Sequence, residues 1–221
     1  MKAIVLLSGG LDSAVMLARL HEQQIETLAI SFDYGQRHRV ELEFAKKIAD
    51  FYGIEHEVIP IDPLIFRGGS ALTSSATPQK GKSKEDILKQ SIPFTYVPAR
   101  NTLFLAYALA KAEMHGADQI HFGSNAMDFL SYPDCRPGYF EAAQELFNRA
   151  TKQSVEGKAP QIVTPLLKWT KEEIVKEGYR LKVPFELTSS CYDPTANGQP
   201  CQQCDACTLR QDAFLSISEV N

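Results

Sequence analysis

The sequence predicts an α/β protein in three layers, a parallel sheet with helices packed on its faces. Three observations carry that expectation. Short apolar runs alternate with longer stretches of helical periodicity along most of the chain, as in a sheet whose strands are joined by helical crossovers. The first run, Ala3–Leu7, is apolar at every position and not at every second one, as a strand covered on both faces requires. Directly after it comes Ser8-Gly9-Gly10-Leu11-Asp12-Ser13, a glycine turn at the carboxyl end of a strand, where open parallel sheets bind their ligands.

The other elements follow in order. Residues 13–23 carry apolar side chains at 14, 15, 17, 18 and 20 and read as the first helix. Thr27–Phe32 is the second strand. His38–Tyr52 places Val40, Phe44, Ile48 and Phe51 at helical spacing, with Gly53 as its C-terminal cap. Glu55–Ile61 is the third strand. Residues 67–91 break the pattern with small polar residues, and a loop of that length is expected to be a mobile lid or a disordered insertion. Pro98–His115, with Leu103, Phe104, Leu105, Tyr107 and Leu109, predicts a helix apolar nearly all round and hence deeply buried. Gln119–Gly123 is a fourth strand, Tyr139–Lys152 a helix and Gln161–Thr164 a fifth strand. Thr170 followed by Glu173 fits a capping box that starts a helix running to about Leu181. From Pro184 onward the alternation is lost. The chain therefore divides into a main domain, residues 1–184, and a small C-terminal segment, residues 185–221.

Composition narrows the function classes. At 44% hydrophobic and 23% charged residues, the chain can bury an ordinary core. A net charge of −4 argues against a surface built to wrap nucleic acid. It does not exclude a small anion held by a local nest of backbone amides. The opening apolar run is too short for a signal sequence, and no stretch approaches the roughly 18 apolar residues of a membrane span. A soluble, cytoplasmic protein is expected. Four of the five cysteines fall within residues 191–207, which in such a chain favours a metal over disulfides.

The glycine turn suits phosphate. Ser8, Gly9 and Gly10 can bring bare amides close to phosphate oxygens, and the helix that follows adds partial positive charge. The turn lacks the lysine of the common nucleotide loop and carries Asp12 instead. A carboxylate facing phosphates calls for Mg²⁺ between them. The plainer alternative is a tight strand-to-helix turn with Asp12 as a first-turn helix charge. In the tail, Cys191, Cys201, Cys204 and Cys207 supply four thiolates, two of the gaps having the spacing of zinc knuckles. A full thiolate set suits a structural Zn²⁺ that pins an irregular tail, with an iron–sulfur cluster as the alternative. Cys135 stands apart and reads as a packing residue unless Arg136 lowers its pKa.

With all six positions matching, Ser8–Ser13 resembles the pyrophosphate loop of the N-type ATP pyrophosphatases, the PP-loop superfamily. That resemblance implies a Rossmann-like fold of the adenine-nucleotide alpha-hydrolase kind, and enzymes that adenylate a substrate oxygen and release pyrophosphate. Further motifs resemble one branch. They are Phe32-Asp33-Tyr34-Gly35-Gln36-Arg37-His38, Tyr96-Val97-Pro98-Ala99-Arg100-Asn101, Tyr132-Pro133-Asp134-Cys135-Arg136, and the tail from Ser190-Cys191-Tyr192 to Leu209-Arg210. Over essentially the whole chain this set is similar to the 7-cyano-7-deazaguanine synthase family of queuosine biosynthesis. Ala99 and Gln202 stand where Gly is common in that branch, and Leu130-Ser131 where Ser-Gly is common.

The resemblance implies that a 7-carboxy-7-deazaguanine is adenylated by ATP and attacked by ammonia to give an amide. The amide is adenylated in turn and loses AMP to leave the nitrile. Free ammonia is the expected nitrogen donor, and a homodimer the expected assembly. The backbone of Ser8, Gly9, Gly10, Leu11, Asp12 and Ser13 would hold the phosphates, with Asp12 placing Mg²⁺. Lys171 would neutralise departing pyrophosphate, unless it is an exposed first-turn lysine. Arg100 would grip phosphate or the substrate carboxylate, unless it forms a buried structural pair with a carboxylate. Arg37 and His38 would approach the site, unless they are a solvated helix start. Asp128 and Asp134 would read the guanine-like edge, with Asn101 and Arg136 as further substrate contacts. A tRNA-thiolation enzyme of the same superfamily is the rival, but it would call for a basic RNA-binding extension and a second catalytic cysteine. A zinc-ribbon binding module would leave the pyrophosphate loop without a purpose.

Overall fold

The structure, a computed structural model, describes residues 1–218, without the side chain of Ser218. The chain opens with β1 (Lys2–Leu6), α1 (Leu11–Glu22), β2 (Glu26–Asp33), α2 (Glu41–Tyr52) and β3 (Glu55–Pro60). It continues with α3 (Lys84–Leu88), α4 (Arg100–His115), β4 (Gln119–His121), α5 (Ala126–Ser131), α6 (Pro137–Ala150) and α7 (Lys152–Val155). β5 (Gln161–Val163), α8 (Lys171–Arg180) and α9 (Asp205–Ser218) complete it. The five strands form one parallel sheet in the order β3-β2-β1-β4-β5.

The continuous apolar run of β1 is explained by its central place in this sheet. Ala3, Val5 and Leu7 enter a core shared with α1, α2, α8 and α9, whereas Ile4 and Leu6 enter a second core against α4 and α6. Each side chain of that size, fully buried, contributes about 1.5–3 kcal/mol. An ionised group in place of Val5 would have no partner in either layer. Helices α1 and α2 lie on one face, and the chain crosses to the other face before β4. The strand order therefore reverses between β1 and β4, and the carboxyl ends of those two strands open a crevice.

Several elements differ from expectation for identifiable reasons. α2 starts at Glu41 and not His38, because Gln36 bonds both the Phe32 carbonyl and Glu41 (2.9 Å each) and holds the intervening residues in a turn. α4 is not buried all round. Leu105, Ala108, Leu109 and Ala112 face the sheet, but it is an outer-layer helix, and Tyr107 and Met114 are 40% and 77% exposed. The helix expected over 139–152 ends at Ala150, where Thr151 leaves it and caps α7. The tail is not irregular throughout. α9 packs Ala213 and Ile217 into the α1 core, and in the sequence its start lies among cysteines and polar residues.

Residues 67–91 are irregular but well tied. Ser70, Ala71 and Leu72 are buried, the Arg37 amide donates to the Leu72 carbonyl (2.9 Å), and α3 buries Ile87. The Gly81 amide donates to the Gln203 carbonyl (2.9 Å), and Lys80 pairs with Asp193 (2.7 Å). Lys84 reaches Glu172 and Asp212 from the same segment.

Candidate functional site

A cavity of about 270 Å³ lies at the carboxyl ends of β1, β2 and β4, walled by the glycine turn, the start of α4, α5, the start of α8, Ser189–Ser190 and α9. Its floor is the turn itself. Ser13 Oγ donates to the Gly10 carbonyl (3.1 Å) and accepts from the Ser8 amide (3.2 Å), so the loop is locked by its own serines. The amides of Leu11, Asp12 and Ser13 at the start of α1 have no acceptor among the described residues. Open amides at a helix N-terminus are an anion site.

The two glycines serve different ends. Gly9 has φ +75°, and a Cβ there would meet the Glu41 carbonyl at 2.4 Å and the Ala45 amide at 2.6 Å. It lets the loop press against α2. Gly10 has φ −84°, and the nearest atom to an added Cβ is Ser8 Oγ at 3.3 Å. Gly10 lines the cavity, so its bareness leaves room there for a ligand.

Above the loop, Lys171 forms an ion pair with Asp12, both side chains being only 19% exposed. The Asn125 amide group donates to the same carboxylate oxygen, Asp12 Oδ2 (3.2 Å). Asp12 Oδ1 is buried without a partner. Burial pulls the Lys171 pKa down, but the Asp12 and Asp128 carboxylates outweigh it, and the net shift is upward. Asp128 closes a capping box with Asn125 at the start of α5. Burial pushes its carboxyl above the ordinary range, with Lys171 pulling back and Asp12 adding to the rise.

Arg100, at the first position of α4, lines the same cavity. Its Nη1 donates to the Tyr34 hydroxyl and its Nε to Asn101 Oδ1 (3.3 Å each), and it lies over the rings of Phe104 (5.6 Å) and Tyr34 (6.0 Å). No carboxylate of the described residues pairs with it, so the buried structural ion pair weighed for Arg100 is not formed. Asp134 receives the Asn101 amide (3.2 Å) and thereby caps α4 from outside, while Asn101 Nδ2 donates to the Asp134 carbonyl (3.3 Å) and Cys135 Sγ (3.2 Å). His38 is buried on the cavity wall, 3.1 Å from Glu41 Oε2, with Nδ1 unpartnered.

Two candidates lie elsewhere. Arg37 turns away and binds Asp193 (2.7 Å) beside the cysteines, and Arg136 is exposed at the start of α6. Among the wall residues to which the sequence assigns no role is Arg210 of α9, although it closes the last motif quoted above.

The Sγ atoms of Cys191, Cys201, Cys204 and Cys207 all lie within 4.8 Å of one another. A tetrahedral ion with bonds of about 2.3 Å needs sulfurs about 3.8 Å apart, so the set fits. The Cys201 amide donates to Cys191 Sγ (3.2 Å), as does that of Asp193 (3.4 Å), a pattern suited to thiolates. Gln202 takes φ +61° to make the turn between two ligands, and Ala99 takes φ +52° before α4. Both residues that stand in place of Gly are thus left-handed.

A three-layer parallel sheet with this open-amide turn after β1 defines a PP-loop ATPase fold, here with a four-cysteine cluster. The chain belongs to the QueC family, whose model, "Queuosine biosynthesis protein QueC", matches residues 2–218. It is 50% identical over 215 residues to the 7-cyano-7-deazaguanine synthase of Desulfatibacillum aliphaticivorans, covering 96% of this chain and 91% of that one. To the enzyme of that name from Nostoc punctiforme it is 48% identical over 222 residues, covering 100% and 98%. Among solved structures, the U34-tRNA thiolase NcsA of Methanococcus maripaludis with its 4Fe-4S cluster shares the fold. The TM-score is 0.53 at 17% identity, over 100% of this chain and 66% of the thiolase.

Proposed function

We propose that this chain is a 7-cyano-7-deazaguanine synthase, an AMP-forming ligase acting on 7-carboxy-7-deazaguanine, ATP and ammonia. The observation that carries the ATP chemistry is one cavity holding the open amides of the turn, the Asp12–Lys171 pair and the Arg100 guanidinium, which has no carboxylate partner among the described residues. Phosphates sit on the amides, and Lys171 stands where charge grows as pyrophosphate departs. Arg100 holds the carboxylate to be activated, and Asp128 and Asp134 face the deazapurine. Asn101 and His38 support that wall. Arg37 and Arg136 act from outside the cavity, through Asp193 and the end of the Tyr-Pro-Asp-Cys-Arg loop.

Asp12 Oδ1, buried and unpartnered, is the hard oxygen donor on this chain that fits Mg²⁺. Bound there, the ion would screen phosphate charge. The four thiolates would hold Zn²⁺, closed to substrate and structural. Keeping those thiolates reduced fits a cytoplasmic location. A homodimer and free ammonia belong to the same reading. No helix among the described residues is long and apolar enough to cross a membrane. Thiolation chemistry is disfavoured because Cys135 is the one cysteine outside the cluster, and burial pushes its thiol up to about 12.

The test is incubation with ATP, Mg²⁺, ammonium and either the 7-carboxy compound or its amide, followed by mass spectrometry. The nitrile and AMP are expected from both. ADP in place of AMP would sink the pyrophosphatase reading, and iron in place of zinc on metal analysis would sink the zinc assignment.

A further inference from the structure

Arg210 sits one helical turn beyond Cys207 and lines the cavity. Its Nη2 donates to the Phe185 carbonyl (3.0 Å), its Nη1 to Ser190 Oγ (3.4 Å), and its guanidinium lies over Phe214 at 5.3 Å. Those bonds occupy two of the five N–H donors of a guanidinium. No carboxylate among the described residues pairs with it. Burial lowers its pKa even against the pull of Asp12, so the charge is poorly solvated as well as unpaired. A guanidinium held largely out of water and without a direct ion pair is a place that an anionic ligand would complete.

The surroundings say which anion. The Ser189 amide donates to the Gly9 carbonyl (2.9 Å), stitching the Ser189–Ser190 segment to the glycine turn. A Cβ added at Gly10 would stand 3.9 Å from Ser190 Oγ, the atom that Arg210 holds. The guanidinium is therefore anchored beside the open amides and on the Lys171 side of the cavity, where its charge is felt by Lys171. Its reach toward the loop is set by α9, which Cys204 immediately precedes and whose first turn carries Cys207.

We propose, resting on the ATP chemistry above, that Arg210 is a catalytic residue that grips the β- and γ-phosphates and the departing pyrophosphate, and that the four-cysteine cluster aims it. In that step a substrate oxygen bonds the α-phosphorus. The bond from that phosphorus to the bridging oxygen breaks, and its electron pair leaves on pyrophosphate. Arg210 and Lys171 are the cations that meet this charge.

Calorimetric titration of the full, metal-loaded chain with ATP, pyrophosphate and AMP separates the possibilities. Arg210→Met is expected to weaken ATP and pyrophosphate by about 30-fold and leave AMP within about twofold, since only the first two carry the gripped groups. Arg210→Lys keeps charge and bulk and is expected to lose about 10-fold, for want of the bidentate fork; it serves where the Met variant does not fold. Equal losses for AMP and pyrophosphate, or none, overturn the assignment while tight wild-type binding leaves the ATP reading standing. A wild-type chain that binds neither ligand overturns both. Chelating the cluster metal should reproduce the Arg210→Met pattern, and unchanged pyrophosphate affinity after chelation overturns the aiming role.

Discussion

The ammonium of Lys171 and the carboxylate of Asp12 meet directly in the cavity although they lie 159 positions apart in the chain. Lys171 is the first residue of α8, where the helix dipole disfavours a cation. It is held there by the carboxylate across the cavity. Removing either charge strands the other in a poorly solvated place.

Lys171→Met is expected to cut AMP formation by about 100-fold or more and to cost about 3 kcal/mol of stability. The double variant with Asp12→Asn should lose less stability than the two single losses summed, because it leaves no stranded charge. Denaturant melts of the four proteins measure this, and strict additivity would show that the pair does not couple. Asp12→Ala should abolish AMP release while the metal content of the four-cysteine cluster stays unchanged.

The two loop glycines should part company. Gly9→Ala forces a side chain to within 2.4 Å of a backbone oxygen at positive φ, and a loss of at least about 3 kcal/mol or failure to fold is expected. Gly10→Ala should melt within about 2 °C of wild type yet bind ATP about 10-fold or more weakly, since its methyl group enters the cavity. A Gly10→Ala protein with wild-type ATP affinity would remove the loop from the phosphate site.

Ala99 and Gln202 carry a backbone conformation that costs an L-residue about 1–2 kcal/mol, partly offset by the chain entropy glycine would bring. Ala99→Gly and Gln202→Gly should each stabilise by about 0.5 kcal/mol, and together raise Tm by about 2–4 °C. A fall in Tm would mean that side-chain contacts at these positions outweigh the strain.

Acid should act on His121. It is buried in β4 with Nδ1 unpartnered, and burial lowers its pKa to about 4 from 6.5. The unfolded chain then binds the proton first, so stability is complete above pH 6.5 and falls as pH drops toward about 4. The loss amounts to about 3 kcal/mol at most. His121→Gln should flatten that part of the stability profile, measured by urea melts between pH 4 and 7, and an unchanged slope would assign the effect to other groups.

Much of the fold is legible in local pattern, because a central parallel strand such as β1 must be apolar at every position and a capping box such as Thr170–Glu173 is a local bond. The tail was not legible. α9 begins among cysteines and polar residues, so its apolar face shows only late in the segment, in Ala213, Phe214 and Ile217. The outward side of α4 escapes the periodic pattern for a related reason, since Tyr107 and Met114 are apolar yet face away from the core. The placements of Arg37, Arg136 and Arg210 depend on which loop packs against which, and no spacing rule reports that.

Sequence by itself determined the chemistry that depends on neighbours along the chain: an α/β sheet, a pyrophosphate-type loop, four thiolates at knuckle spacing. Only the tertiary structure decided which charges share a cavity. It joined Asp12 to Lys171, left Arg100 and Arg210 without carboxylates among the described residues, and sent Arg37 to Asp193. Local elements are written by short-range sterics and periodic burial. The pairing of distant charges is set by how those elements pack.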